Sequence, residues 1–155
     1  MNYIKLVISI AIPLFIGFIG SFFTSSSVDT WYKTLKKPDF NPPNWVFSPV
    51  WTLLFILIGL SFYIIWKNNF GGKKVLLLNI FFTQLFANLI WSLFFFGLRS
   101  PFWALIDIIV LWLAILVNII VFYRVSKPAG ILLVPYILWV SFAALLNFYL
   151  YILNK

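Results

Sequence analysis

The chain has 155 residues, of which 64% are hydrophobic and only 9% are charged, and its formal net charge is +8. A soluble domain of this length has too little interior to hide so much apolar surface, so lipid is the expected solvent and a soluble globular fold is excluded. The cations lie between apolar runs, as expected for contacts with anionic lipid headgroups at the membrane surface. Nucleic acid is therefore excluded as a partner. Cys, His and Glu are absent, so thiol chemistry, ordinary metal sites and paired-carboxylate catalysis are not expected.

Long apolar runs divide the chain into segments near the ~20 residues that a bilayer core requires. They predict an all-α membrane protein, with a single transmembrane domain over 1–155 that forms a bundle of five helices. The first run follows Lys5, as in a secretory signal. It is long for a signal and no A-x-A site follows it, which favours a retained span. The predicted helices are 4–23, 46–66, 75–97, 102–123 and 129–153.

The connection between the first two helices, at about 24–45, is the only long one. Its prolines restrict the backbone, which indicates an ordered loop. The loop is interpreted either as a lid over the mouth of the bundle or as a membrane-surface loop with snorkelling lysines, and its chemistry leaves both open. Aromatic residues give it an apolar underside: Trp31, Tyr32, Phe40 and Trp45. Its cations form a basic rim: Lys33, Lys36 and Lys37.

The later helices are joined by short connections, so consecutive helices are expected to be antiparallel. Prolines are expected near the starts of helices 2, 4 and 5, where a missing N–H costs little: Pro49, Pro101 and Pro128. Pro13 and Pro135 lie within helices 1 and 5 and are expected to bend them.

Polar and aromatic residues at membrane depth form three stripes at helical spacing, and Trp51 opens helix 2. Amides in such stripes either join helices or bind a ligand, and joining is favoured for Gln84 and Asn118. A membrane carboxylate is costly and usually has a role, but for Asp107 a structural hydrogen bond and ligand contact are equally favoured. Converging rings would line a flat, apolar pocket for a large aromatic ligand. The stripes are Gln84, Asn88 and Trp91 in helix 3; Trp103, Asp107, Leu111, Ala114 and Asn118 in helix 4; and Trp139, Ala143, Asn147 and Leu150 in helix 5.

Several motifs in this order resemble the translocator protein family, also called tryptophan-rich sensory protein or peripheral-type benzodiazepine receptor (TspO/MBR). They are WYKTLKKPDFNPP, PVWTLLF, ANLIWSLFFF, WALIDI and LLVPYILWVSFAALLNFYLYILN. The similarity runs from about residue 28 to the C-terminus, and its most specific part is the W-Y-x-x-L-x-K-P-x-F-x-P-P pattern of the first loop.

The resemblance implies five transmembrane helices, usually in a homodimer, and a pocket under the first loop. The pocket would bind porphyrins such as protoporphyrin IX, and synthetic isoquinoline carboxamide or benzodiazepine-type ligands, with no covalently bound cofactor. The motifs carry the ligand-binding role to Trp31, Tyr32, Trp51, Asn88, Trp91, Trp103, Asp107, Trp139, Ala143 and Asn147.

Helix 5 also contains the region of the family's proposed cholesterol motif. Leu146, Tyr149 and Lys155 satisfy the short sterol-contact pattern, which is a weak one. Animal members often have Tyr-Tyr and a nearer Arg here, whereas this chain has Phe148-Tyr149. With its short termini, the chain is expected to reside in a microbial cell membrane as a multi-pass protein, which argues against cholesterol as its natural ligand.

Three functions remain open at this point. The first is a porphyrin-binding sensor, transporter or regulator of tetrapyrroles. The second is an enzyme for light- and oxygen-dependent degradation of protoporphyrin IX, in which Trp51 and Trp139 are the candidate catalytic residues, as electron donors to the excited porphyrin. The third is a purely structural membrane protein.

Overall fold

A computed structural model describes residues 2–155 and shows a helical bundle. The helix bounds are α1 Tyr3–Ser27, α2 Asn44–Lys67, α3 Lys74–Ser92, α4 Pro101–Val125, α5 Lys127–Ile131 and α6 Val134–Asn154. A π-helical turn at Leu93–Gly97 extends α3, and α5 and α6 together form the last span. Five segments in the described part of the chain are long and apolar enough to cross a membrane, which confirms the predicted fold class.

Local signals explain where these helices begin. The Lys5 backbone N–H donates to Asn2 Oδ1 at 3.1 Å, and the Trp103 N–H donates to Ser100 Oγ at 3.2 Å. These side chains satisfy N–H groups that the first turns of α1 and α4 leave free, which matters most near a bilayer. Pro101 follows its cap at the first helical position, where its missing N–H costs nothing.

The prolines within the helices differ in their effect on the helical backbone. α1 continues through Pro13. Pro49 was expected near the helix start, but α2 begins at Asn44, so Pro49 is an interior residue. Pro135 has no N–H to donate to the carbonyl of Ile131, and α5 ends at Ile131, with two residues between it and the start of α6 at Val134. The expected bend in the last span is therefore confirmed as a break in the helix.

The helices form a ring in which α1 contacts α2 and α3, α3 contacts α4, and α4 contacts α6. α2 closes the ring mainly through the short α5 rather than through α6. The last span therefore packs closely on α2 at the end opposite the long loop and less closely near the loop.

The half of the bundle away from the loop is filled by stacked aromatic rings. The Phe81 ring stacks on the Phe62 ring, with centroids 4.3 Å apart. On Phe81 there is a second stacked neighbour, Phe122, with ring centroids 6.1 Å apart. In lipid, close packing rather than removal from water stabilises such contacts. The half nearer the loop is not filled in this way, and it contains the cavity described below.

Candidate ligand-binding site

A space, here called the inner cavity, lies beneath the long loop and is lined by residues of α1, α2, α3, α4 and α6. Its volume is about 570 Å³. Small-molecule sites typically occupy ~300–1,000 Å³, so the inner cavity has the size of a ligand site rather than of a packing defect.

Tryptophans from three different helices form its aromatic walls. Trp51 comes from α2 and has Phe55 one turn later, with ring centroids 5.6 Å apart. Trp91 comes from α3 and stacks on Phe95 at 5.0 Å and 18°. Trp139 comes from α6. Such flat faces supply large contact areas for another aromatic ring system.

Asn147 fixes the geometry of one wall. Its Oδ1 accepts from Trp91 Nε1 at 2.9 Å, and its Nδ2 donates to the carbonyl of Pro101 at 2.9 Å. Its side chain therefore joins α6 to α3 and to the start of α4, and it orients the Trp91 ring. With both ends of its amide engaged, Asn147 serves mainly to position this wall.

A second hydrogen-bond chain joins α3 to α6. Asn88 Nδ2 donates to the Tyr136 hydroxyl at 2.8 Å, and that hydroxyl donates to Gln84 Oε1 at 2.7 Å. Gln84 thus joins helices. Within residues 2–155, the side chain of the buried Asn118 has no hydrogen-bond partner. Asn88 also lines the inner cavity, so one amide serves both packing and the cavity wall.

The loop closes the cavity mouth through Tyr32, which is only 4% exposed. The Tyr32 ring packs against Phe95 and Phe96, and its hydroxyl donates to Asn41 Oδ1 at 3.3 Å. Burial raises the pKa of this hydroxyl above its ordinary value, although the hydrogen bond to Asn41 opposes the shift. Tyr32 therefore remains protonated and able to donate within the loop.

The loop is also attached to the end of the last helix. The backbone N–H of Lys36 donates to Asn154 Oδ1, and Asn154 Nδ2 donates to the Lys36 carbonyl, both at 2.8 Å. Nearby, the Phe40 ring packs edge-on against Tyr149 at 5.4 Å. These contacts hold the centre of the loop against α6.

Replacing Asn154 with alanine is expected to loosen this attachment and to accelerate the release of a ligand from the inner cavity. Two hydrogen bonds worth ~0.5–1.5 kcal/mol each sum to ~1–3 kcal/mol, which predicts dissociation that is about 5–150-fold faster. Stopped-flow displacement of a fluorescent ligand measures the rate. Asn68→Ala is the control, because Asn68 caps α2 with its own side-chain bond to a helix carbonyl. Unchanged dissociation from the Asn154 variant would show that this contact does not restrain the loop.

The predicted site residues fall into two groups. Most of them line the inner cavity: Tyr32, Trp51, Asn88, Trp91, Trp139, Ala143 and Asn147. Trp31, Trp103 and Asp107 are not among its lining residues. Trp31 packs edge-on against Phe95 at 5.5 Å, behind the wall.

Helix geometry explains why Trp103 and Asp107 of α4 do not line the inner cavity, although both were predicted to bind the ligand. Each i to i+4 step turns the stripe by about 40°, so a stripe read over several turns winds around the helix. Leu111 lines the inner cavity, whereas Trp103, two steps earlier, is 53% exposed on the outside of the bundle. Asp107 lies between them and is buried, and its Oδ2 has no partner within the described residues.

The residues of the sterol pattern do not form one surface. Leu146 is buried and lines the inner cavity. Tyr149 packs against Phe40 beneath the loop, and Lys155 is exposed at the end of the chain.

Sequence reasoning missed several residues of the site. Phe55 and Phe95 line the inner cavity, each one turn after a tryptophan that was predicted. The i, i+4 spacing alone could have identified them. Tyr136 and Asn154 carried no such signal, because their partners are distant in the sequence.

The inner cavity also reaches the outer surface between α1 and α2. Exposed residues from both helices line it, among them Ser21, Ser48 and Thr52. The same helices cross closely farther from the loop, where a Cβ added to Gly59 would lie 2.6 Å from the Ile10 Cα. The glycine therefore permits the close crossing away from the loop, while the cavity lies between the two helices nearer to it.

Within residues 2–155, no group of three or more His, Cys, Asp or Glu side chains is placed to hold a metal ion. Fold and site together define a multi-pass integral membrane protein with an aromatic, ligand-sized cavity beneath an ordered loop.

Comparison with known proteins gives the family. The sequence model of the TspO/MBR family matches residues 9–153 and so begins in α1, earlier than the expected residue 28. The tryptophan-rich protein TspO of Archaeoglobus fulgidus is 51% identical over 154 residues, which cover 99% of each chain. The translocator protein of Homo sapiens is 38% identical over 133 residues, covering 84% of this chain and 79% of its own. The tryptophan-rich sensory protein of Cereibacter sphaeroides is 36% identical over 120 residues, covering 77% and 74%. The chain belongs to the TspO/MBR family.

Proposed function

We propose that this protein binds porphyrins and related flat hydrophobic ligands in the inner cavity, and that it acts as a sensor, transporter or regulator of tetrapyrroles. The observation that carries the proposal is the cavity of about 570 Å³ with tryptophan walls from three helices. A rigid macrocycle gains contact with such walls and loses little conformational entropy on binding.

The cavity argues against a purely structural role. Packing alone favours filled interiors, because an empty space forfeits dispersion contacts on every side. Here the aromatic stack fills one half of the bundle, and the other half keeps its cavity beneath a loop held by specific bonds. Maintaining such a space is consistent with a ligand that occupies it.

A second candidate function is light- and oxygen-dependent degradation of the bound porphyrin. The specific observation in its favour is that Trp51 and Trp139 both line the inner cavity. An indole ring against a photoexcited macrocycle would donate one electron to it, and the macrocycle would pass this electron to molecular oxygen. The indole radical would then regain an electron from the macrocycle, so the porphyrin is oxidised, oxygen is reduced and the tryptophan is unchanged. Neither role requires a hydrolytic or metal centre.

One experiment tests both candidates. The purified protein is mixed with protoporphyrin IX in the dark and in light, and protein fluorescence and porphyrin absorbance are followed. Saturable quenching without loss of pigment supports binding. Protein-dependent loss of pigment in light, abolished in Trp51→Phe or Trp139→Phe, supports the enzyme. Absence of saturable quenching would refute the proposal that porphyrin occupies the cavity.

A further inference from the structure

A second space, here called the outer chamber, adjoins the inner cavity under the loop. Its volume is about 470 Å³. Residues of the loop and the first residue of α2 line it, and four of these also line the inner cavity: Val28, Asp29, Tyr32 and Asn44. A ligand in the inner cavity would therefore present one edge to the outer chamber.

The outer chamber is lined by two cations, Lys33 and Lys37, and by one carboxylate, Asp29. Lys37 is held in place, because its Nζ donates to the Leu35 carbonyl at 3.2 Å and lies 4.7 Å from the centre of the Tyr32 ring. An ammonium group has three donors, so this bond leaves others for a ligand. The structure thus places an oriented cation where the two spaces meet.

Lys36 lies between these lysines in sequence but not in space. It does not line either space, and its backbone forms the paired bonds with Asn154 on the α6 side of the loop. The three lysines of the loop are therefore not equivalent, contrary to the basic rim predicted from the sequence.

We propose that the outer chamber is a carboxylate subsite, in which Lys33 and Lys37 bind acidic groups on one edge of a ligand whose apolar body fills the inner cavity. The proposal rests on the proposed function and narrows its ligand class to flat amphiphiles with carboxylates on one edge. The Asp29 carboxylate repels the carboxylates of such a ligand and so lowers its affinity.

The test uses two probes with the same macrocycle: protoporphyrin IX, which has two carboxylates, and its uncharged dimethyl ester. Affinities are measured in detergent for wild type, for Lys33→Gln/Lys37→Gln and for the matched control Lys36→Gln. Exposed charge pairs are weak, so the double variant is expected to bind the diacid about 3–10-fold less tightly at low salt. This loss should shrink toward none at ~1 M salt, where the screening length is ~3 Å. The ester should bind all three proteins equally.

Asp29→Asn supplies a test of opposite sign. Removal of the opposing charge is expected to tighten diacid binding about 2–3-fold at low salt and to leave ester binding unchanged. A gain of affinity is not the result of damage to the loop, so this variant separates electrostatics from misfolding.

The outcomes distinguish the subsite from the proposed function itself. If the double variant binds the diacid like wild type, or loses the ester to the same extent, the subsite is refuted while porphyrin binding stands. An equal loss in Lys36→Gln would also refute the assignment to the outer chamber. If neither probe binds wild type, both the proposed function and the subsite are refuted.

Discussion

Replacing Trp51 with alanine is expected to weaken porphyrin binding about 10–100-fold. Loss of one aromatic face that stacks on a flat ligand costs ~1–3 kcal/mol, judged by aromatic stacking on nucleobases. Trp51 lines the inner cavity and packs against Phe55. The substitution therefore removes the ligand's contact surface and also loosens the neighbouring ring. Trp51→Phe keeps part of that surface and should give a smaller loss.

Trp66→Ala is the matched control, because Trp66 belongs to the same helix but lies ~22 Å along it from Trp51. There its ring contacts Phe62 and the Lys5 ammonium, away from the inner cavity. Titration with protoporphyrin IX, followed by porphyrin fluorescence so that the lost tryptophan does not alter the signal, should show near wild-type affinity for this variant. If Trp51→Ala and Trp66→Ala weaken binding equally, the porphyrin does not bind against Trp51.

The arrangement of spans could be predicted from the sequence because bilayer thickness sets the length of each apolar run. The end of α1 illustrates the limit of that rule. The predicted helix ended at residue 23, yet α1 continues to Ser27. Its polar residues remain helical because their hydroxyls donate to carbonyls within the helix, as Ser26 does to Phe23 at 2.7 Å. Hydropathy marks where the apolar run ends but does not detect this internal pairing.

The site could be predicted in part, because residues one turn apart share a helix face. Trp51, Trp91 and Trp139 lie on faces that meet at the inner cavity. Trp103 does not, because the turn of about 40° at each i to i+4 step carries it away from the face on which Leu111 lines the inner cavity. The family motifs could not resolve this, since a motif preserves a residue without stating which way its side chain points.

The loop shows the same limit more sharply. Composition identified it as ordered, aromatic and basic, and its lysines appeared equivalent. Their separation depends on Asn154, which lies 118 positions from Lys36 in the chain. No local pattern encodes that contact, since an amide near the end of a helix usually faces solvent or lipid headgroups. Which lysines face a ligand is therefore a property of the tertiary structure.

The second large effect is expected at Asn147. Asn147→Leu keeps a similar volume but leaves the Trp91 N–H and the Pro101 carbonyl without their partner. An unpaired buried polar group costs ~1–3 kcal/mol in soluble proteins, whereas side-chain bonds between membrane helices average ~0.6 kcal/mol with a maximum of ~1.7. Two such bonds predict a loss of ~1–3 kcal/mol in stability, seen as a lower unfolding temperature in detergent.

The porphyrin affinity of Asn147→Leu should fall together with its stability. Freed from Asn147, the Trp91 ring can rotate away from the orientation in which it lines the inner cavity, so the variant is expected to bind at least 10-fold less tightly. Asn147→Gln keeps the amide but moves it by one methylene group. Compared with Asn147→Leu, it should restore more of the lost stability than of the lost affinity, because the orientation of the Trp91 ring depends on the position of the acceptor.

The control for Asn147 uses a second tryptophan N–H bond to α6, in which the acceptor is a serine hydroxyl. Trp112 Nε1 donates to Ser141 Oγ at 2.8 Å on the exposed side of the bundle, so Ser141→Ala removes a bond of similar length outside the cavity. That variant should lose only the ~0.6 kcal/mol that an average side-chain bond between membrane helices contributes, and no affinity, because the bond lies outside the inner cavity. Equal effects of Asn147→Leu and Ser141→Ala on porphyrin binding would show that Asn147 contributes only general stability, and that the orientation of Trp91 does not govern the site.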